Sequence, residues 1–61
     1  ELMIDLKEYK GPVLIRVYDV DLSLLNIFKE RNIDMSSYRI GAYILEVEYD
    51  SRIEVMRVIK N

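Results

Sequence analysis

Four carboxylates crowd one short stretch of this 61-residue chain, Glu46, Glu48, Asp50 and Glu54, and they are the first candidates for acid–base or metal chemistry. Such chemistry needs two or three of them to converge on one point. Glu46 and Glu48 alternate with Leu45, Val47 and Tyr49, so as strand residues they project side by side about 7 Å apart. The chain has no histidine to act as an imidazole base or metal ligand, and no cysteine for thiol, disulfide or zinc chemistry. The expected role of the carboxylates is therefore a solvated face, holding neither metal nor cofactor. Ser23, Ser36 and Ser37 have neither a histidine base nor a lysine at Ser-x-x-Lys spacing, so no catalytic residue is assigned and no enzyme is expected. Gly11 and Gly41 are isolated and form no phosphate-cradling loop.

The basic residues point to a different chemistry. Lys7, Lys10 and Arg16 lie on or beside the expected N-terminal hairpin, and in a two-fold dimer the trio becomes about six positive charges, enough to follow a DNA backbone. Against this, Asp5, Glu8 and Asp19 are interspersed, and a net charge of −2 without any like-charge run matches ordinary mixing on a strand face. The five tyrosines have three possible roles: stacking on bases, filling a protein interface, or serving as bulky core residues in a chain without tryptophan.

Elements must position these groups. Leu2, Ile4 and Leu6 alternate with polar or flexible partners, predicting a strand to about Tyr9. Lys10-Gly11-Pro12 breaks it, and the β-branched run Val13 to Val20 predicts its hairpin partner. Asp21 suits an N-cap, and Leu24, Leu25, Ile27 and Phe28 then share one stripe of an amphipathic helix ending near Asn32. Residues 33–38 fit either loop or short strand. Tyr43 to Tyr49 is a cleanly alternating strand. Ser51-Arg52-Ile53-Glu54 fits a capping box, but Ile53, Val55, Val58 and Ile59 are β-branched, which favours a strand over a C-terminal helix. Joined through Asp50-Ser51-Arg52, that strand sets Tyr49 opposite Ile53, Val47 opposite Val55 and Tyr43 opposite Ile59, with Glu48 meeting Glu54 on the other side. Tyr43, Leu45, Val47, Tyr49, Ile53 and Val55 then form one face, the expected interface.

Residues 1–61 suffice for one domain, of α+β class with ββαββ order: N-terminal hairpin, amphipathic helix, C-terminal hairpin. A domain this small buries a modest share of its surface and gains stability from a partner, so a homodimer is expected. No apolar run approaches the ~20 residues of a membrane span, and the chain reads as soluble and cytoplasmic, with no membrane partner. Its richness in Ile, Val, Glu, Lys and Arg, with Thr and Gln absent, is thermophile-like.

The hairpin-helix-hairpin order, Lys10-Gly11 at the first turn, Val13-Leu14-Ile15 after it, and the stretch Leu45 to Val55 resemble the AbrB/MazE-like swapped-hairpin DNA-binding domain. That resemblance implies an intertwined homodimer acting as a DNA-binding transcription regulator or antitoxin-like protein. The chain has Gly11-Pro12 where that family often carries Gly-Arg, and Asp19-Val20-Asp21 where it carries Ile-Pro, so Lys7, Lys10 and Arg16 are assigned here as DNA-binding residues on their own charge. A second resemblance, carried by Ile15-Arg16-Val17-Tyr18-Asp19 and Asn32-Ile33-Asp34-Met35, is to ferredoxin-like, ACT-like regulatory domains. It implies a C-terminal helix and a small-molecule-sensing role. The remaining alternative is a non-catalytic protein-interaction or oligomerisation module with a protein partner.

Overall fold

The alternation along Tyr43 to Tyr49 becomes the central strand of a sheet in the computed structural model of this chain, which describes residues 2–61. That strand, β5 (Gly41–Tyr49), turns Tyr43, Leu45 and Val47 inward. It runs into β6 (Arg52–Lys60) through Asp50 and Ser51, whose φ angles of 50° and 60° mark the two-residue primed turn that matches the twist of paired strands. On its other side β5 pairs antiparallel with β2 (Val13–Tyr18), where Val13, Ile15 and Val17 alternate inward. The strands predicted over 13–20, over 43–49 and after Asp50-Ser51-Arg52 are thus present, the first ending at Tyr18 and the last already beginning at Arg52.

The helix expected over Asp21–Asn32 is not formed, and the described residues contain no helix. Leu24–Phe28 is instead a strand, β3, antiparallel to β2, so the sheet runs β3-β2-β5-β6. The class is therefore all-β, not the α+β ββαββ arrangement. A helix of about twelve residues is marginal on its own. As a strand the same segment satisfies the free edge of β2, and an Asp19 turn directs it there. The Asp19 carboxylate accepts the N–H groups of Asp21 (2.9 Å) and Ser23 (3.0 Å), while Leu22 takes a φ of 64°. Asp19, rather than Asp21, is the organising acid, and it organises a hairpin.

The N-terminal hairpin is also replaced. Leu2–Met3 (β1) pairs with Asn32–Ile33 (β4) in a separate two-stranded sheet, not with β2. The chain turns at Lys7, which has a φ of 59° and donates its N–H to the Asp5 carboxylate (2.8 Å). Tyr9 then folds back so that its hydroxyl donates to the Pro12 carbonyl (2.9 Å) and its ring meets Tyr49 with centroids 5.2 Å apart. A Cβ at Gly11 would overlap the Tyr9 ring, which is why a glycine stands there. The alternation of Leu2, Ile4 and Leu6 survives as cover: Ile4 and Leu6, with Ile33 and Met35, close over Ile15, Val17, Leu45 and Val47. Lys60 fastens the end of β6 to this cover by donating to the carbonyls of Met35 (2.7 Å) and Tyr38 (2.6 Å).

Both resembled scaffolds are thereby corrected. The swapped-hairpin scaffold needs a helix between two hairpins, whereas the described residues hold none and the first hairpin pairs differently here. The ACT-like alternative needs a C-terminal helix where β6 runs. Leu24, Leu25, Ile27 and Phe28 satisfy both helical and extended spacing, and the open edge of β2 selects the extended form.

Candidate functional site

The four-stranded sheet is covered on one face only. Strand alternation sends Leu14, Arg16 and Tyr18 of β2, Ile44, Glu46 and Glu48 of β5, and Ile53, Val55, Arg57 and Ile59 of β6 to the other face, in register with Ile27 of β3. The β6 side chains there are conspicuously bare for their type, with Ile53 at 56%, Val55 at 64% and Ile59 at 55% exposure. Leu24, Leu25 and Ile27 are exposed at the opposite edge. Two apolar strips on the outer strands thus flank a polar centre. A grouped apolar surface of this kind differs from scattered exposed residues, which need no explanation.

The polar centre is one network. Arg16 directs Nη2 to Glu48 Oε1 at 2.7 Å and Nη1 to Glu46 Oε1 at 3.5 Å, and the Tyr18 hydroxyl donates to the same Glu46 oxygen at 2.8 Å. The hydrogen bond to Glu48 raises the Arg16 pKa, so the guanidinium is held more firmly charged. The bond to Glu46 raises that of Tyr18, since it would place an ionised phenol against a carboxylate. Tyr49, whose hydroxyl donates to Glu54 (2.7 Å), is raised for the same reason. Asp34 is lowered, chiefly by hydrogen bonds from the Ser36 side chain and backbone.

These shifts set a pH profile. Folding keeps the phenols protonated beyond their ordinary value of about 10, so the stability that Tyr18 and Tyr49 contribute is complete below that pH and is lost as pH rises through the folded values. Asp34 works in reverse: its contribution is present above its ordinary value of about 3.9 and disappears on acidification through the lowered one. Urea midpoints are expected to be flat through the neutral range and to fall at both ends. Tyr18→Phe with Tyr49→Phe should flatten the alkaline limb, and Asp34→Asn the acid limb. An unchanged pair of limbs in these variants would show that the bonds do not form.

The three residues assigned to DNA fall in different surroundings. Arg16 lies mid-face, already paired with Glu46 and Glu48. Lys7 and Lys10 are exposed in the segment between β1 and β2, and Lys7 borders a shallow recess shared with Asp5, Asp50 and Glu54. The residues assigned to an interface also divide. Tyr43, Leu45 and Val47 belong to the core, Tyr49 is half-buried beside it, and Ile53 and Val55 stand on the opposite, open face.

The division comes from one residue of register. The two-residue turn sets Tyr49 opposite Arg52, Val47 opposite Glu54 and Tyr43 opposite Val58, where the three-residue connection would have used Ile53, Val55 and Ile59. A slip of one flips a whole strand, so Met56 and Val58 turn to the core while Ile53, Val55 and Ile59 turn outward. One signal in the sequence pointed this way: the longer loop forces Glu48 against Glu54, whereas the observed register gives Glu48 the apolar Ile53. Leu24, Leu25, Ile27, Arg57 and Ile59 were not among the candidate site residues and belong to this face.

The tyrosines are mostly used within the fold. Tyr38 stacks on Tyr43 with centroids 5.3 Å apart, and the Tyr43 hydroxyl donates to the Arg39 carbonyl (2.6 Å). Of the clustered acids, Glu46 and Glu48 hold Arg16, Asp50 forms the turn and Glu54 accepts from Tyr49. Among the described residues no three acids are grouped so as to hold a metal ion, and no helix is long and apolar enough to cross a membrane. No protein-family model matches this chain, and neither a curated protein nor a solved structure is significantly similar to it.

Proposed function

We propose that this chain is a non-catalytic protein-interaction module that docks a partner on the open face of the β3-β2-β5-β6 sheet. The observation that carries this reading is the bare apolar strip Ile53, Val55 and Ile59 on a strand whose other side packs into the core. Sheets of this kind bury their apolar faces against another layer, and here that layer covers one face only. The nucleic-acid reading has less behind it. Arg16, its central cation, is neutralised by two carboxylates of the same face, and the helix-containing scaffold that suggested it is replaced by strands.

The test is the double variant Ile53→Lys/Val55→Lys, compared with the parent for binding of an apolar fluorescent dye and for sedimentation. Both positions are exposed, so at a dilution where the parent is monomeric the circular-dichroism melting curve should hold within about 0.5 kcal/mol of stability. Dye binding or self-association should drop sharply in the variant. If the parent neither binds dye nor associates, and matches the variant in both, the face is no docking surface.

A further inference from the structure

We infer that the partner on the open face is a second copy of this chain, packed sheet to sheet about a two-fold axis that runs along the strands between β2 and β5. This rests on the docking role proposed for that face. Its basis is one row of residues lying straight across the sheet: Ile27 of β3, Arg16 of β2, Glu46 of β5 and Val55 of β6. The row reads apolar, cation, anion, apolar, so turning it end for end exchanges each residue with its complement.

A two-fold axis along the strands performs that reversal. It lays β3 over β6 and β2 over β5, bringing Arg16 against Glu46 of the partner subunit and Ile27 against Val55 of the partner subunit. An axis across the strands through the same row would instead set Arg16 on the partner's Arg16 and Glu46 on the partner's Glu46. Like charges brought together and desolvated disfavour that arrangement, so charge selects between the two symmetries. The balance extends over the rest of the face, where Arg57 matches Glu48 in number. Two copies therefore meet without net repulsion, and a strongly charged partner finds no complement.

The dimensions fit as well. The broad side of the molecule measures 31 by 20 Å, about 600 Å² in projection, of the same order as the ~800 Å² that each partner contributes to a standard stable interface. Covering it would supply the second layer that the sheet lacks, at the ~10 Å spacing of packed sheets. A chain of this size also gains stability from such burial.

The chain has no cysteine, so single cysteines report geometry directly. Ile27→Cys and Val55→Cys, both at exposed positions, are mixed at micromolar concentration and treated with a short bifunctional thiol reagent, since facing backbones ~10 Å apart lie beyond the reach of a direct disulfide. The mixed crosslinked dimer should form at least about tenfold faster than either variant linked to itself, because only the strand-parallel axis holds the two sites within reach of the reagent. Dominant self-pairing of each variant would establish the crosswise axis and overturn the proposal. Slow, unselective coupling would overturn it too. Sedimentation separates this idea from the docking reading beneath it. A parent chain that stays monomeric yet binds dye in an Ile53- and Val55-dependent way ends self-pairing alone, whereas a monomer that binds no dye ends both.

Discussion

Leu45→Ala is expected to lower the unfolding free energy by about 2–5 kcal/mol, the range for emptying a buried leucine site that collapses only partly. Leu45 is fully buried and sits between Val17 of β2 and Met56 of β6, in the middle strand pair of the sheet. Cover from Ile4, Leu6, Ile33 and Met35 closes above it, so few neighbours can move in without breaking other contacts. A 61-residue domain holds roughly 3–9 kcal/mol in total, so the substitution removes a large share and leaves a substantial unfolded fraction at ambient temperature. Urea unfolding followed by circular dichroism reads this directly. Val55→Ala in the same strand pair provides the contrast: compared at a dilution where the chain is monomeric, it should cost the fold under about 0.5 kcal/mol, since Val55 is exposed. Equal losses in the two variants would mean that the faces of β5 and β6 are assigned wrongly.

Ser51→Pro should be comparably damaging, for a backbone reason. Ser51 has a φ of 60°, while a proline ring holds φ near −65°, so the two-residue turn cannot form with proline in place. The loss is expected to be about 3 kcal/mol or more, together with early exchange of the amides that link β5 and β6. Ser51→Gly should act in the opposite sense and raise stability by up to about 1 kcal/mol, because glycine occupies positive φ without strain. A tolerated proline would show that the connection is not the tight turn and that the β6 register is free to shift. The open face would then lose Ile53 and Val55 as fixed members.

That register is also where the sequence was hardest to read. The strands over 13–20, 43–49 and after Arg52 were legible because β-branched residues recur in the first and last and alternation is strict in the middle one. The number of residues in the turn was not. Asp50, Ser51 and Arg52 allow a two- or a three-residue connection, and the choice sends either Met56 and Val58 or Ile53 and Val55 into the core. Both pairs are apolar, so composition could not decide between them. Only packing against β2 and its cover does so. The candidate site divided accordingly: Ile53 and Val55 reached the open face, while Tyr43, Leu45 and Val47 became the interior.

The helix reading of 21–32 failed for a similar reason. Its stripe of Leu24, Leu25, Ile27 and Phe28 fits both periods, and the competing term is the unpaired edge of β2, which becomes visible only once β2 is seated beside β5. By itself, the amino-acid order determined that β2, β5 and β6 are extended, that the chain breaks at Asp50-Ser51, and that thiol and imidazole chemistry are excluded. Tertiary structure alone decided which side of each strand meets the core and which side is left bare. Local preference acts on backbone angles one residue at a time, whereas the inner face of a strand is chosen by neighbours distant in the chain, through the area they bury together.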